Sequence, residues 1–198
     1  EAFILVVLVV YIFLQDFRST LIPTIAIPVS LIGTFFMLYA FGFSINLLTL
    51  SALVLAIAIV VDDAIVVVEA VHAKLDQGYK SGKQASLDAM SEISGAILSI
   101  SLVMMAVFIP VSFMGGTSGV FYRQFGITMA VAIGFSALNA LTLSPALCAL
   151  FLKAKREEGD NSKPLNFMDR FHIAFNTTYD SLLNKYKGGI TRIINQRW

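Results

Sequence analysis

Two adjacent aspartates lie in the middle of a long apolar stretch, in the run VLAIAIVVDDAIVVVEA. An aspartate at mid-membrane costs about 2.5–3.5 kcal/mol on insertion scales, so such residues usually serve ion or proton movement. Two neighbouring carboxylates oppose each other's ionisation, so we expect at least one of Asp62 and Asp63 to take up a proton near neutral pH. The pair is therefore the candidate site of proton translocation.

Glu69 is a third candidate for the same chemistry. It follows Asp62 by seven residues, so it lies on the same helical face two turns further along. This position predicts either a proton exit step or a solvated helix end. For Asp62 and Asp63, the alternative to proton translocation is a salt bridge that only holds helices together. A basic partner is needed in either case, and the apolar segments contain no Lys, Arg or His. We therefore expect the cation to come from helices outside this chain.

Two classes of intramembrane protease use residues of these types. Aspartyl proteases need two aspartates facing each other from separate helices, whereas neighbours on one helix diverge by about 100°. Residues 116–119 (GTSG) match the GxSG of rhomboid-type serine proteases, whose mechanism needs a histidine base within hydrogen-bond reach. His72 and His172 are expected on the opposite side of the membrane from Ser118. The sequence therefore predicts a Gly-rich turn here.

The composition places the protein in the membrane. Of 198 residues, 57% are apolar and 14% are charged, whereas roughly 25% are charged in an average soluble domain. One cysteine, a net charge of +1 and no basic patch argue against a disulfide scaffold, a disordered chain and a nucleic-acid-binding module. Backbone polar groups in lipid must be paired within their own segment. The predicted fold is therefore an all-α, polytopic transmembrane helix bundle.

Five apolar segments are predicted to be helices, at residues 2–14, 21–41, 46–70, 94–113 and 125–152. The first rises only about 20 Å, short of the roughly 30 Å hydrocarbon core. We interpret it as a spanning helix that begins before this chain does, with a re-entrant or interfacial segment as the alternative. Pro28, Pro110 and Pro145 predict kinks. Ser81 and Gln84 predict a capping box for a helix that leads into the fourth segment.

The basic residues predict the orientation. With residues 15–20, 71–93 and 153–198 on one side, thirteen of the fourteen Lys and Arg residues lie there. Only Arg123 lies opposite, so the first side is predicted to be cytoplasmic. On that side we expect a linker at 153–166 and, at 167–198, an amphipathic interfacial helix with the lead-in to a further span. A helix packed on another domain is the alternative for this tail, and Gly188-Gly189 predicts a break or a hinge in it.

Four stretches of the chain, in this order, resemble motifs of the resistance–nodulation–division (RND) efflux pumps. They are residues 41–46 (FGFSIN) with 48–49 (LT), 60–69 (VVDDAIVVVE), 115–125 (GGTSGVFYRQF) and 143–149 (LSPALCA). The double aspartate resembles the multidrug, hydrophobe/amphiphile branch, because the heavy-metal branch usually keeps a single aspartate there. Ala70 departs from that branch, which often has asparagine at this position.

The resemblance implies a fold and a function. The segments would be transmembrane helices two to six of twelve in a multi-pass protein of the bacterial inner membrane. It would be a secondary active transporter that exchanges protons for drugs and other amphiphilic small molecules, with the aspartates paired to a lysine from the second half. A homotrimer, a periplasmic adaptor protein and an outer-membrane channel are implied as partners, with no cofactor, metal or nucleic acid. Two alternatives stay open: an RND-superfamily transporter of lipids or proteins, and a non-transporting membrane scaffold with a structural aspartate pair.

Overall fold

The computed structural model of the chain describes residues 2–116 and 118–153, together with residues 177, 181, 183 and 185–191. Within these residues there is no β-strand, which confirms the all-α prediction. Four helical stretches are long and apolar enough to cross a membrane, the last of them formed by α5 and α6 together. The helices are α1 (Ala2–Leu14), α2 (Phe17–Ala40), α3 (Leu47–Asp76), α4 (Gly82–Val111), α5 (Gly119–Leu141) and α6 (Leu143–Phe151).

Helices α3 and α4 are longer than the apolar segments at 46–70 and 94–113. Each has 30 residues and rises about 45 Å, against a hydrocarbon core of roughly 30 Å. Their polar extensions meet at one end of the bundle, where Lys74 of α3 forms an ion pair with Glu92 of α4. In the turn between them, the hydrogen bond to Asp88 raises the pKa of Tyr79. Hydropathy predicts where a helix leaves lipid, and these polar contacts let the helices continue beyond that level.

Local capping explains where two of the helices begin. Asp16 accepts hydrogen bonds from the backbone N–H groups of Arg18 and Ser19, at 3.3 and 3.2 Å, and so starts α2 four residues before the predicted segment. Asn46 and Thr49 cap α3 reciprocally, each side chain accepting from the other residue's backbone N–H. At α4, Ser81 occupies the N-cap position but its side chain makes no capping bond, so the predicted capping box does not form.

The prolines have unequal effects. Helix α2 continues through Pro28, and Pro110 lies within the last turn of α4. Near Pro145, by contrast, the helix is interrupted at Thr142, which lies between α5 and α6 and has backbone angles of φ −122° and ψ −64°. Pro145 has no N–H to donate to the carbonyl of Leu141, which removes one rung of the ladder at this point. The apolar segment predicted at 125–152 is therefore two helices joined at Thr142.

Helix α5 lies at the centre of the bundle and packs against α2, α3 and α4. Close packing depends on glycine, because a Cβ at Gly126 would lie 2.9 Å from the Phe108 carbonyl oxygen of α4. At the other end of α4, a Cβ at Gly82 would lie 2.3 Å from the Leu152 carbonyl oxygen. Ser86 of α4 donates to the Pro145 carbonyl oxygen at 2.9 Å. Helix α4 is thus fixed to α5 near one end and to α6 near the other.

Residues 157–198 form a separate compact unit. Residues 185–191 of it are helical, and the Thr191 hydroxyl donates to the Lys187 carbonyl oxygen at 2.8 Å. The break predicted at Gly188-Gly189 is therefore wrong. Apart from Lys153, the linker predicted at 153–166 lies outside the described residues, as does most of the helix predicted at 167–198. Its interfacial location stays a prediction.

Candidate functional site

The aspartate pair lies in the middle of α3, and its second member faces α5. Asp63 is half-buried and accepts a hydrogen bond from the hydroxyl of Ser136, which is itself buried. The contact joins the two helices that pack most extensively against each other in the bundle. A carboxylate that accepts from a hydroxyl makes a charge-assisted hydrogen bond, which is stronger than one between neutral groups. The protonation state of Asp63 is therefore linked to the contact between α3 and α5.

Asp62 points elsewhere. Adjacent helical residues diverge by about 100°, and Asp62 lies on an exposed stripe of α3. The stripe recurs every three or four residues and consists of Ser51, Leu55, Ala58, Asp62, Val66, Glu69 and Ala73. Apart from its two carboxylates it is apolar or small. The structure thus brings Asp62 and Glu69 to one face, as their spacing predicts, and places Asp63 on another.

The pair has no cationic partner in residues 2–116 and 118–153. The ion pair found in this part of the chain joins Lys74 to Glu92, at the end of α3 and away from the aspartates. Five Lys and Arg residues lie at this same end of the bundle and one, Arg123, lies at the other. The five are Arg18, Lys74, Lys80, Lys83 and Lys153.

A second polar contact in the bundle joins α5 to α2. Asn139, one turn after Ser136, donates to the Ser30 hydroxyl at 2.6 Å and to the Ala26 carbonyl oxygen at 3.4 Å. Sequence analysis missed both Ser136 and Asn139. The signal that was available is their three-residue spacing inside an apolar stretch, since polar residues in a spanning helix usually face other helices.

A third polar group connects the beginning of α2 to α3. The Ser19 hydroxyl donates to Oδ2 of Asp16 at 2.7 Å and lies 2.6 Å from Nε2 of His72. A hydroxyl has one proton, and Ser19 gives it to Asp16. The contact between Ser19 and Nε2 of His72 extends this hydrogen-bonded group from α2 to α3. These three side chains link two helices, and the serine lies between the other two.

Within the described residues, the structure brings no histidine close to Ser118. Asn46 donates to Oε1 of Gln124 at 2.6 Å, which places the start of α3 beside the start of α5. Ser118 is the N-cap residue of α5 and so lies at this end. His72 is 26 residues further along α3 than Asn46, a rise of about 39 Å. The described histidine is therefore far from Ser118, and His172 lies outside the described residues.

Comparison with known proteins gives consistent matches along the chain. The model of the AcrB/AcrD/AcrF family matches residues 1–198. The chain is 49% identical over 194 residues to the multidrug export protein AcrF of Escherichia coli (strain K12), covering 98% of the chain and 18% of that relative. It is 46% identical over 198 residues to the toluene efflux pump membrane transporter TtgB of Pseudomonas putida (strain DOT-T1E), covering 100% of the chain and 18% of that relative. It is 49% identical over 175 residues to the multidrug resistance protein MdtF of E. coli (strain K12), covering 88% of the chain and 17% of that relative. The chain thus spans less than a fifth of these relatives' length.

Proposed function

The chain belongs to the AcrB/AcrD/AcrF family of RND transporters of the bacterial inner membrane, and we propose that it is the proton-carrying part of a drug exporter's transmembrane domain. In this proposal the proton-motive force drives export of drugs and other amphiphilic compounds. The names of the relatives, which include multidrug and solvent efflux transporters, support the transported class. The protons supply the energy, without a cofactor.

The contact between Asp63 and Ser136 best supports proton coupling. When Asp63 is ionised, the hydroxyl of Ser136 donates to a charged oxygen. Protonation removes that charge and leaves a weaker, neutral hydrogen bond. The contact between α3 and α5 then loses stabilisation, and the two helices are free to shift against each other. A proton arriving at one carboxylate is in this way converted into a change of helix packing.

The exposed stripe of α3 supports a second part of the proposal, that a cationic side chain from outside this chain pairs with Asp62. A mostly apolar stripe with two carboxylates needs a neighbouring surface that buries it and neutralises its charge. A helix from outside this chain meets both needs if it supplies a lysine beside Asp62. The lysine and the proton then compete for the same carboxylate. Glu69, two turns along the same stripe, takes the proton onward to the cytoplasm.

The remaining parts of the pump follow from the family resemblance alone. We expect a homotrimer that works with a periplasmic adaptor protein and an outer-membrane channel. The drug-binding site lies in segments outside this chain. A transporter of lipids or proteins, or a scaffold with a structural aspartate pair, would share the same helix bundle but would not couple drug export to proton flux.

The test is made in the full-length transporter with Asp62→Asn and Asp63→Asn. We expect each variant to lose drug export and drug-dependent proton flux in proteoliposomes, while inserting and assembling normally. Asp76→Asn is the matched control, because this exposed residue ends the same helix far from the pair. We expect Glu69→Gln to slow transport without stopping it. Normal drug export by both aspartate variants would exclude the proton-carrying role.

A further inference from the structure

A groove opens between α4 and α5, at the end of the bundle opposite His72. Its volume is about 500 Å³, within the range of roughly 300–1,000 Å³ typical of small-molecule sites. The wall is apolar along most of its length. The main contributors are Ile109, Phe113 and Met114 from the end of α4 and the turn after it, and Ile127, Ala130 and Val131 from α5.

One cation lines this groove. Arg123 is the only charged residue between Glu92 and Lys153 in the sequence, and it is exposed. It forms no ion pair within the part of the chain that the structure describes. A guanidinium presents a planar fork of donors that matches the oxygens of a phosphate. The groove therefore combines an apolar wall with an unneutralised phosphate-binding group.

The aromatic residues around Arg123 indicate its depth in the membrane. Phe121 contacts Tyr122 edge-on with ring centroids 5.5 Å apart, and it stacks on Phe125 at 5.9 Å. Tyrosine and tryptophan concentrate at the level of the lipid headgroups, so Tyr122 beside Arg123 supports a location at that level. From Arg123, the groove wall continues to Val131, eight residues or about 12 Å further along the helix. The guanidinium thus lies at headgroup level and the apolar wall runs into the hydrocarbon.

The face that carries the groove is open along α4. In its most apolar 18-residue window, helix α4 buries a much smaller share of its residues than the other three spanning stretches do. Val103, Val107 and Ile109 of this helix are all exposed. A spanning helix with this pattern has either lipid or another apolar helix beside it. A phospholipid supplies both an acyl chain for the apolar wall and a phosphate for Arg123.

We propose that this groove is a binding site for one anionic phospholipid of the leaflet on the α4–α5 loop side. The phosphate pairs with the guanidinium of Arg123, and one acyl chain lies along Ile109, Ile127 and Val131. The net negative charge of the lipid is the feature that Arg123 selects. The site is independent of the aspartate pair, so its test and the test of proton coupling have separate outcomes.

The experiment uses the full-length transporter in nanodiscs of phosphatidylethanolamine and phosphatidylglycerol. Each lipid is added in turn with a photoreactive group on its acyl chain, and mass spectrometry locates the labelled peptides. We expect phosphatidylglycerol to label residues 109–114 and 127–131 more strongly than phosphatidylethanolamine does. Arg123→Gln should lower this labelling about tenfold, the size expected for losing a hydrogen bond to a charged group. Arg123→Lys should retain part of it.

Two further variants separate binding from folding. Ala130→Leu keeps the arginine but fills the groove, so we expect it to lower the labelling as well. Lys80→Gln, at the other end of the bundle, should leave it unchanged. Each variant is first checked for normal assembly by size-exclusion chromatography. Equal labelling in the wild type and Arg123→Gln, equal labelling by the two lipids, or no labelling of the groove in the wild type would each overturn the proposal.

Discussion

Asp62 and Asp63 are joined by one peptide bond and have different surroundings. Asp63 is half-buried and accepts from Ser136, while Asp62 lies on the exposed stripe with Glu69. Asp63 is thereby connected to α5, whereas Asp62 lies on the face that we propose is covered by a helix from outside this chain. At the residue scale, two adjacent carboxylates thus face two different sides of α3.

Replacing Ser136 tests the inward connection. Ser136→Ala removes the donor to Asp63, and we expect proton-coupled drug export by the full-length transporter to fall about tenfold, as for a lost hydrogen bond to a charged group. Ser136→Thr keeps the hydroxyl and should restore most of the rate. Ser101→Ala is the control, since that buried hydroxyl donates only within its own helix, to the Ile97 carbonyl oxygen. A rate that is the same for Ala and Thr at position 136 would show that the hydroxyl plays no part.

The Ser19 hydroxyl provides a second test at this scale. Ser19→Ala leaves both Oδ2 of Asp16 and Nε2 of His72 without this partner, and we expect the free energy of unfolding to fall by about 1–3 kcal/mol. Thermal unfolding in detergent measures the change. Ser51→Ala should have little effect, because that exposed hydroxyl bonds only to the Leu47 carbonyl oxygen of its own helix. Equal melting temperatures for the two variants would contradict a linking role for Ser19.

At the scale of the helices, the bundle depends on a few close approaches. Gly126 of α5 sits against the backbone of α4, with the position of an added Cβ 2.5 Å from the Ser112 hydroxyl and 2.9 Å from the Phe108 carbonyl oxygen. Gly134, two turns further along α5, meets only the sulfur of Met105, at 3.9 Å. The same helix therefore contains one glycine that is needed for packing and one that is not.

These two glycines form a matched pair of mutations. Gly126→Ala forces α4 and α5 apart, and we expect it to destabilise the full-length transporter by about 1–3 kcal/mol, the usual cost of overpacking. Gly134→Ala makes an ordinary contact and gains helix propensity, so its stability should be equal or slightly higher. Thermal unfolding in detergent, followed by size-exclusion chromatography, measures both. A loss that is as large at position 134 would refute the packing argument.

The sequence predicts the helices better than their ends. Apolar runs identify α2 to α5 because hydropathy follows immersion in lipid. The start of α2 depends on the Asp16 cap, and the extension of α3 past residue 70 depends on the Lys74–Glu92 pair, a contact between two helices. The residues of the candidate site likewise divide into those that the sequence predicts and one that it does not. Asp62, Asp63 and Glu69 are recognisable by charge in an apolar run, whereas Ser136 matters only because folding brings α5 beside α3.

At the scale of the whole molecule, the distribution of charge predicts how the bundle sits in the membrane. Arg123 lies at one end, and the five other Lys and Arg residues within residues 2–116 and 118–153 lie at the opposite end. An excess of Lys and Arg marks cytoplasmic loops. The end that contains the Asp16–Ser19–His72 group is therefore predicted to be cytoplasmic, and the end that contains the α4–α5 groove is predicted to face the periplasm.

Cysteine labelling tests this orientation in cells. The native Cys148 is fully buried, so it contributes little background once cysteines in the rest of the transporter are removed. A membrane-impermeant maleimide added to intact cells should label Ser118→Cys and not Lys80→Cys. Both positions are exposed, and both should react after the cells are opened. Labelling of Lys80→Cys alone in intact cells would show that the bundle has the opposite orientation.

The interruption at Thr142 has a mechanical consequence. A continuous helix transmits twist as well as tilt, because every turn is bonded to the next. Between α5 and α6 that ladder lacks the rung that Pro145 cannot supply, and α6 is anchored separately to α4 through Ser86 and Gly82. One hydrogen bond of the ladder is missing here, so we expect the join at Thr142 to resist twisting less than the rest of the α5–α6 stretch does. A displacement of α5 at Ser136 would then be transmitted more fully along α5 than to α6, which is anchored to α4.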